Sequence, residues 1–98
     1  MLESRFKTEL VKELETIFPG CIILHMDPTE YQGIPDLLIL YRNKWAALEG
    51  KRGRNEHIQN NQEYYVDLMN RMSFARFIFP ENKEEVLNEL QQAFRSRR

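Results

Sequence analysis

Cysteine is nearly absent from this 98-residue chain. The single Cys21 can form no intramolecular disulfide and no thiol-based zinc site, although two histidines, His25 and His57, are present. Four glycines and four prolines are too few for a collagen-like or low-complexity chain, and 42% hydrophobic with 30% charged residues is the balance of a folded protein. No run approaches the roughly eighteen apolar residues of a membrane helix. The opening MLESRFKTEL lacks the apolar stretch of a secretory signal, so no membrane association and a cytoplasmic location are expected. Neither sign of charge dominates: 14 basic and 15 acidic residues leave a net charge of −1, and attraction to nucleic acid has to come from local clusters. Lys51, Arg52 and Arg54 form one such cluster, and Arg95, Arg97 and Arg98 form another at the carboxyl end. The length suits one hydrophobic core, so residues 1–98 are read as a single domain.

Apolar residues at Phe6, Leu10, Leu14 and Ile17/Phe18 recur every three to four positions and predict a helix over 3–18, ended by Pro19-Gly20. Cys21 to Met26 reads as a buried strand, with His25 packed inside it, and a turn and loop lead through Tyr31, Gln32 and Gly33 to Pro35. Leu37–Tyr41 and Lys44–Glu49, separated by Arg42-Asn43, read as a β-hairpin. A second helix is expected over 55–72, with Ile58, Tyr65, Leu68, Met69 and Met72 on one stripe and Gln62 one turn above Ile58 in the same row. Ala75–Phe79 is a short strand, and Asn82 with Glu85 has the spacing of a capping box before the stripe Val86, Leu87, Leu90, Phe94. Trp45, Tyr64, Tyr65 and the Phe74–Phe79 segment are expected in the core, as is Cys21. The order is αβββαβα, an α/β (α+β) domain with no internal repeat and no linker.

If the hairpin turns on Arg42 and Asn43, paired residues have numbers summing to 85, and Asp36 faces Glu49 at the open end. Lys51, two residues beyond Glu49, projects on the same side. Side-by-side carboxylates repel; a fold tolerates them when a cation sits between, when one is protonated, or when both are solvated. An oxygen-only pair suits a hard cation, Mg²⁺ or Mn²⁺, with positions left for water and a phosphate oxygen. That pattern points to phosphodiester chemistry, with Lys51 positioning the attacking water and Arg52 and Arg54 holding flanking phosphates. His57 is a candidate phosphate contact, and Tyr31 and Gln32 are candidate DNA contacts on the loop entering Asp36. The plainer alternative is that the acids are surface residues of a protein-interaction domain.

Gly33-Ile34-Pro35-Asp36 with the following apolar strand, and Trp45-Ala46-Ala47-Leu48-Glu49-Gly50-Lys51, resemble the core of the PD-(D/E)XK nucleases, and more narrowly the small VRR-NUC nucleases carried by phages. The resemblance implies a restriction-endonuclease-like αβββαβ core, a mixed central sheet flanked by helices with an extra C-terminal helix. It implies a Mg²⁺- or Mn²⁺-dependent endodeoxyribonuclease with no organic cofactor, acting in the cytoplasm of the host. Asp36 and Glu49 would be metal ligands, Lys51 the catalytic lysine and Gln62 a supporting glutamine. An acid on the first helix is also implied: Glu3, with Glu9 and Glu13 as rivals. The family extends to Holliday-junction resolvases, so branched DNA is an expected substrate, and paired cuts would require a homodimer, for which the last helix offers one interface. Gly50 departs from the bulky apolar residue usual between Glu and Lys; either a neighbour fills the space or the strand loosens there. The second case would favour a non-catalytic nucleic-acid-binding protein that keeps the nuclease fold.

Overall fold

The computed structural model describes residues 2–95, with side chains from residue 5 onward. Three helices and four strands follow in the order α1 (Leu2–Ile17), β1 (Ile22–His25), β2 (Leu37–Tyr41), β3 (Lys44–Gly50), α2 (Asn60–Met72), β4 (Ala75–Ile78) and α3 (Lys83–Arg95). The strands form one mixed sheet in the order β1-β2-β3-β4: the first three are antiparallel, and β4 runs parallel to β3 after the crossover through α2. The chain is an α+β domain. No helix among the described residues is long and apolar enough to cross a membrane.

The hairpin has the expected register, with Tyr41 opposite Lys44 and Leu37 opposite Leu48. Arg42 makes the turn with φ of 58°, a left-handed conformation costly for a residue with a Cβ. Because side chains alternate across a strand, Leu37, Ile39, Ala46 and Leu48 face one side. There they pack with Leu10, Leu14 and Phe18 of the α1 region and Val86, Leu87, Leu90 and Phe94 of α3. Ala47, Ala75 and the flanking Leu38, Trp45 and Phe77 face the other side, under Val66 and Met69 of α2. The apolar stripe of α3 is therefore consumed by its own sheet and is not a free dimer interface.

Several expectations are corrected. β1 is an edge strand and not a buried one: Ile22 and Leu24 are 57% and 43% exposed, and His25 is exposed. An edge strand has a ladder partner on one side only, and α2 covers β3 and β4 while leaving that face of β1 open. The second helix begins at Asn60, not Asn55, so Ile58 precedes it and shares no helical row with Gln62. The Asn82 side chain, expected to cap α3, turns back onto β4: its Oδ1 accepts from the Phe79 N–H and its amide donates to the Phe77 carbonyl. Tyr64 is 58% exposed and does not belong to the core.

Candidate active site

At the end of the hairpin distant from Arg42-Asn43, the alternation of β3 puts Glu49 and Lys51 on the α2 side of the sheet and Gly50 on the α1 side. Both charged residues are buried, Glu49 at 6% exposure and Lys51 at 5%. Asp36 stands one residue before β2, just past the last paired position of Leu37 opposite Leu48, and its Oδ1 accepts the Gly50 N–H at 3.2 Å. The ladder extends one residue past β3 through the Lys51 N–H, which donates to the Ile78 carbonyl at 2.9 Å. The strand is thus tied on both edges at the catalytic-looking positions and does not loosen at Gly50.

Gln62, in the first turn of α2, joins the two buried charges. Its amide donates to Glu49 Oε2 at 3.1 Å, and its Oε1 accepts from Lys51 Nζ at 2.9 Å and from the Gln59 N–H at 3.1 Å. Those three bonds fix which way the amide points. Lys51 Nζ also donates to the His57 carbonyl at 3.2 Å and lies 3.9 Å from Glu56 Oε2 and 4.0 Å from Glu49 Oε2. No buried side-chain nitrogen or oxygen among the described residues lacks a partner, as burial of charge requires.

The Glu49 carboxyl is pushed up to about 7, first by burial and then by repulsion from Asp36; Lys51 and Lys7 pull against both. This is the electrostatic mark of a buried carboxylate with a second one beside it. Asp36 does hold one cation: the Lys7 ammonium of α1 is 2.5 Å from its Oδ2, with both side chains about three-quarters buried.

The sequence-predicted residues divide accordingly. Glu49, Lys51 and Gln62 form one hydrogen-bonded cluster, and Asp36 stands beside it, held by the Gly50 N–H and Lys7 and repelling Glu49. Arg52 borders it, 61% exposed, with its N–H on Glu56 Oε1 at 2.6 Å. Arg54 and the His57 side chain are exposed on the same irregular 51–59 segment. Tyr31 and Gln32 lie exposed on the loop before Asp36. Asn61 donates to the Gln32 carbonyl at 3.1 Å, anchoring that loop to α2, and the Tyr31 ring meets Tyr65 edge-on. The Glu3 side chain lies outside the described residues. Of its rivals, Glu13 pairs with Lys83 of α3 at 2.8 Å, and Glu9 lines a surface cavity shared with Arg5, Lys83 and the site-bordering Arg52.

Two cluster residues escaped the sequence reading. Lys7 had a visible signal, since it falls in the row of Leu10 and Leu14 on the buried face of α1, where a charge is out of place. Glu56 had none, because its position depends on an irregular segment expected to be helical.

The donor set fits a hard divalent cation. Asp36 and Glu49 offer carboxylate oxygens, Asp36 already carries a positive group, and the described residues gather no third His, Cys, Asp or Glu around them. Such a site leaves most coordination positions to water, the habit of Mg²⁺. Compared with protein-family models, curated proteins and solved structures, the chain has no match.

Proposed function

We propose that the chain is a divalent-metal-dependent endodeoxyribonuclease of the PD-(D/E)XK kind, with residues 1–98 as its nuclease domain. The observation that carries this reading is the hydrogen-bonded cluster of Glu49, Lys51 and Gln62, with the Asp36 carboxylate set against Glu49 beside it, at one end of a mixed sheet in the element order αβββαβ. A buried ion pair braced by a glutamine is a poor way to gain stability; it is a good way to hold a lysine still.

Asp36 and Glu49 would hold Mg²⁺ or Mn²⁺, which when bound supplies Lewis acidity and a more acidic water. The chain's own residues do the rest. Lys51, its ammonium oriented by Gln62 and the His57 carbonyl, positions the attacking water and offsets charge growing on the phosphorus. Gln62 keeps the Lys51 ammonium and the Glu49 carboxylate in register through two hydrogen bonds. Arg52, Arg54 and His57 hold phosphates of the strand on one side of the cluster; Tyr31 and Gln32 meet it on the other. Branched DNA such as a four-way junction is the proposed substrate, cut by a homodimer, and that dimer uses a surface other than the α3 stripe.

The test is cleavage of end-labelled four-way junction, flap, single-stranded and plain duplex DNA with Mg²⁺ or Mn²⁺, alongside an EDTA control and Lys51→Ala. The expected result is metal-dependent cutting, strongest on the junction and lost in the variant. Metal-independent band shifts with no cutting would replace the enzyme with a nucleic-acid-binding protein, and no interaction with any DNA would leave the buried charges a structural feature of a protein-interaction domain.

A further inference from the structure

Gly50 and Lys7 form one device. On β3, Gly50 faces α1, opposite in direction to Glu49 and Lys51, and the aliphatic stem of Lys7 lies across it. A Cβ at Gly50 would stand 3.2 Å from Lys7 Cγ and 3.4 Å from its Cε. The glycine therefore clears a passage at the sheet's end through which a side chain rooted on the α1 face delivers its ammonium to Asp36, 2.5 Å away. Without a side chain at 50 the space is not empty, because a lysine fills it.

The consequence follows from electrostatics and depends on the metal-site reading proposed above. Asp36 Oδ1 is engaged by the Gly50 N–H, and Oδ2 by Lys7. An oxygen held by an ammonium at this distance is a poorer ligand for a metal ion, because the two cations repel one another across the same carboxylate. We propose that Lys7 is an internal counter-cation that competes with the divalent metal for Asp36, its stem lying across the bare face of Gly50. Metal-free, the lysine neutralises Asp36 and holds it in place beside Glu49. When metal is bound the ammonium gives up Oδ2. Because the two cations repel one another at one carboxylate, lysine and metal each weaken the other's hold by the same factor.

Mn²⁺ binding to the full chain at pH 8, followed by the electron paramagnetic resonance signal of the free ion, tests this without reference to activity. Lys7→Met keeps an unbranched stem over Gly50 and removes the charge; Lys7→Gln is the second variant should the first not reach wild-type circular dichroism. Lys12→Met is the control, since Lys12 is an exposed cation lining the same surface groove as Lys7. The expected result is Asp36-dependent Mn²⁺ binding that tightens about five-fold in Lys7→Met, the scale of a partly exposed ion pair, and stays within about two-fold in Lys12→Met. Asp36-dependent binding that is unchanged or weaker in Lys7→Met, or tightened equally by Lys12→Met, overturns the competition and leaves the metal site standing. Absence of Asp36-dependent binding in both wild type and Lys7→Met overturns the competition and the metal-site reading together.

Discussion

On the α1/α3 face of the sheet, Leu10, Leu14, Leu37, Ile39, Leu48 and Leu90 are fully buried against one another. On the α2 face the apolar contribution shrinks to Ala47, Val66 and Ala75 with a partly buried fringe, and the strand end on that side is given to Glu49 and Lys51. Burial of hydrocarbon stabilises in proportion to area. Burial of the Glu49–Lys51 pair stabilises little, and it brings a carboxyl group whose ionisation is suppressed. The first face holds the fold together; the second is organised around charges whose positions matter more than their energy. The same strand serves both, since β3 sends alternate residues to each.

Substitutions on the two faces should accordingly fail in different ways. The largest effect is expected from Lys51→Ala, which removes the cluster's central donor: cleavage should fall at least about a thousand-fold in a gel assay on junction DNA. Next is Leu14→Ala on the opposite face, at about 3 kcal/mol of lost stability in urea unfolding. At a temperature where both proteins remain folded, its cleavage per molecule should match the wild type; a large activity loss there would break the separation of faces. Gly33→Ala sharpens the comparison from the loop. Gly33 has φ of 94°, and an added Cβ would lie 2.7 Å from Asn61 Cγ and 2.8 Å from the Asn61 backbone carbon. Its expected cost is about 2 kcal/mol by thermal unfolding, and because the loop leads into Asp36, cleavage should fall with it.

Much of this contrast is legible from the residues alone, because a hairpin with a two-residue turn is an arithmetical object. Once Arg42-Asn43 is chosen, Asp36 opposite Glu49, and Lys51 on the same side as Glu49, follow from period-two alternation. What escapes is whatever depends on irregular backbone or on neighbours distant in sequence. The 51–59 segment has helix-compatible residues, yet the Gln59 N–H is taken by Gln62 and α2 starts only at Asn60, freeing the His57 carbonyl and Glu56 to reach Lys51. Whether an apolar strand such as Ile22–His25 is central or at an edge depends on which strands flank it, and its own composition is the same in either case. Tyr64 is exposed because it lies on the side of α2 away from Val66 and Met69, the residues that pack on the sheet. Gly50 reads as a gap until α1 is folded over it.

The metal-ligand role proposed for Glu49, together with the instability its burial brings, makes one variant decisive. With its carboxyl raised from 4.5 to about 7, the folded state holds this proton more tightly than the unfolded chain. Wild-type stability from this group is therefore fullest below pH 4.5 and is lost as the pH rises through about 7. Glu49→Gln keeps an acceptor for the Gln62 amide and carries no charge to suppress. Cleavage of the four-way junction and the thermal midpoint should be measured on this variant beside wild type at pH 8 and pH 4.5. The account predicts cleavage abolished at pH 8 in a protein that is more stable than wild type there, by on the order of 2–3 kcal/mol, with the advantage closing at pH 4.5. Retained cleavage, or a variant less stable than wild type at pH 8, would contradict it.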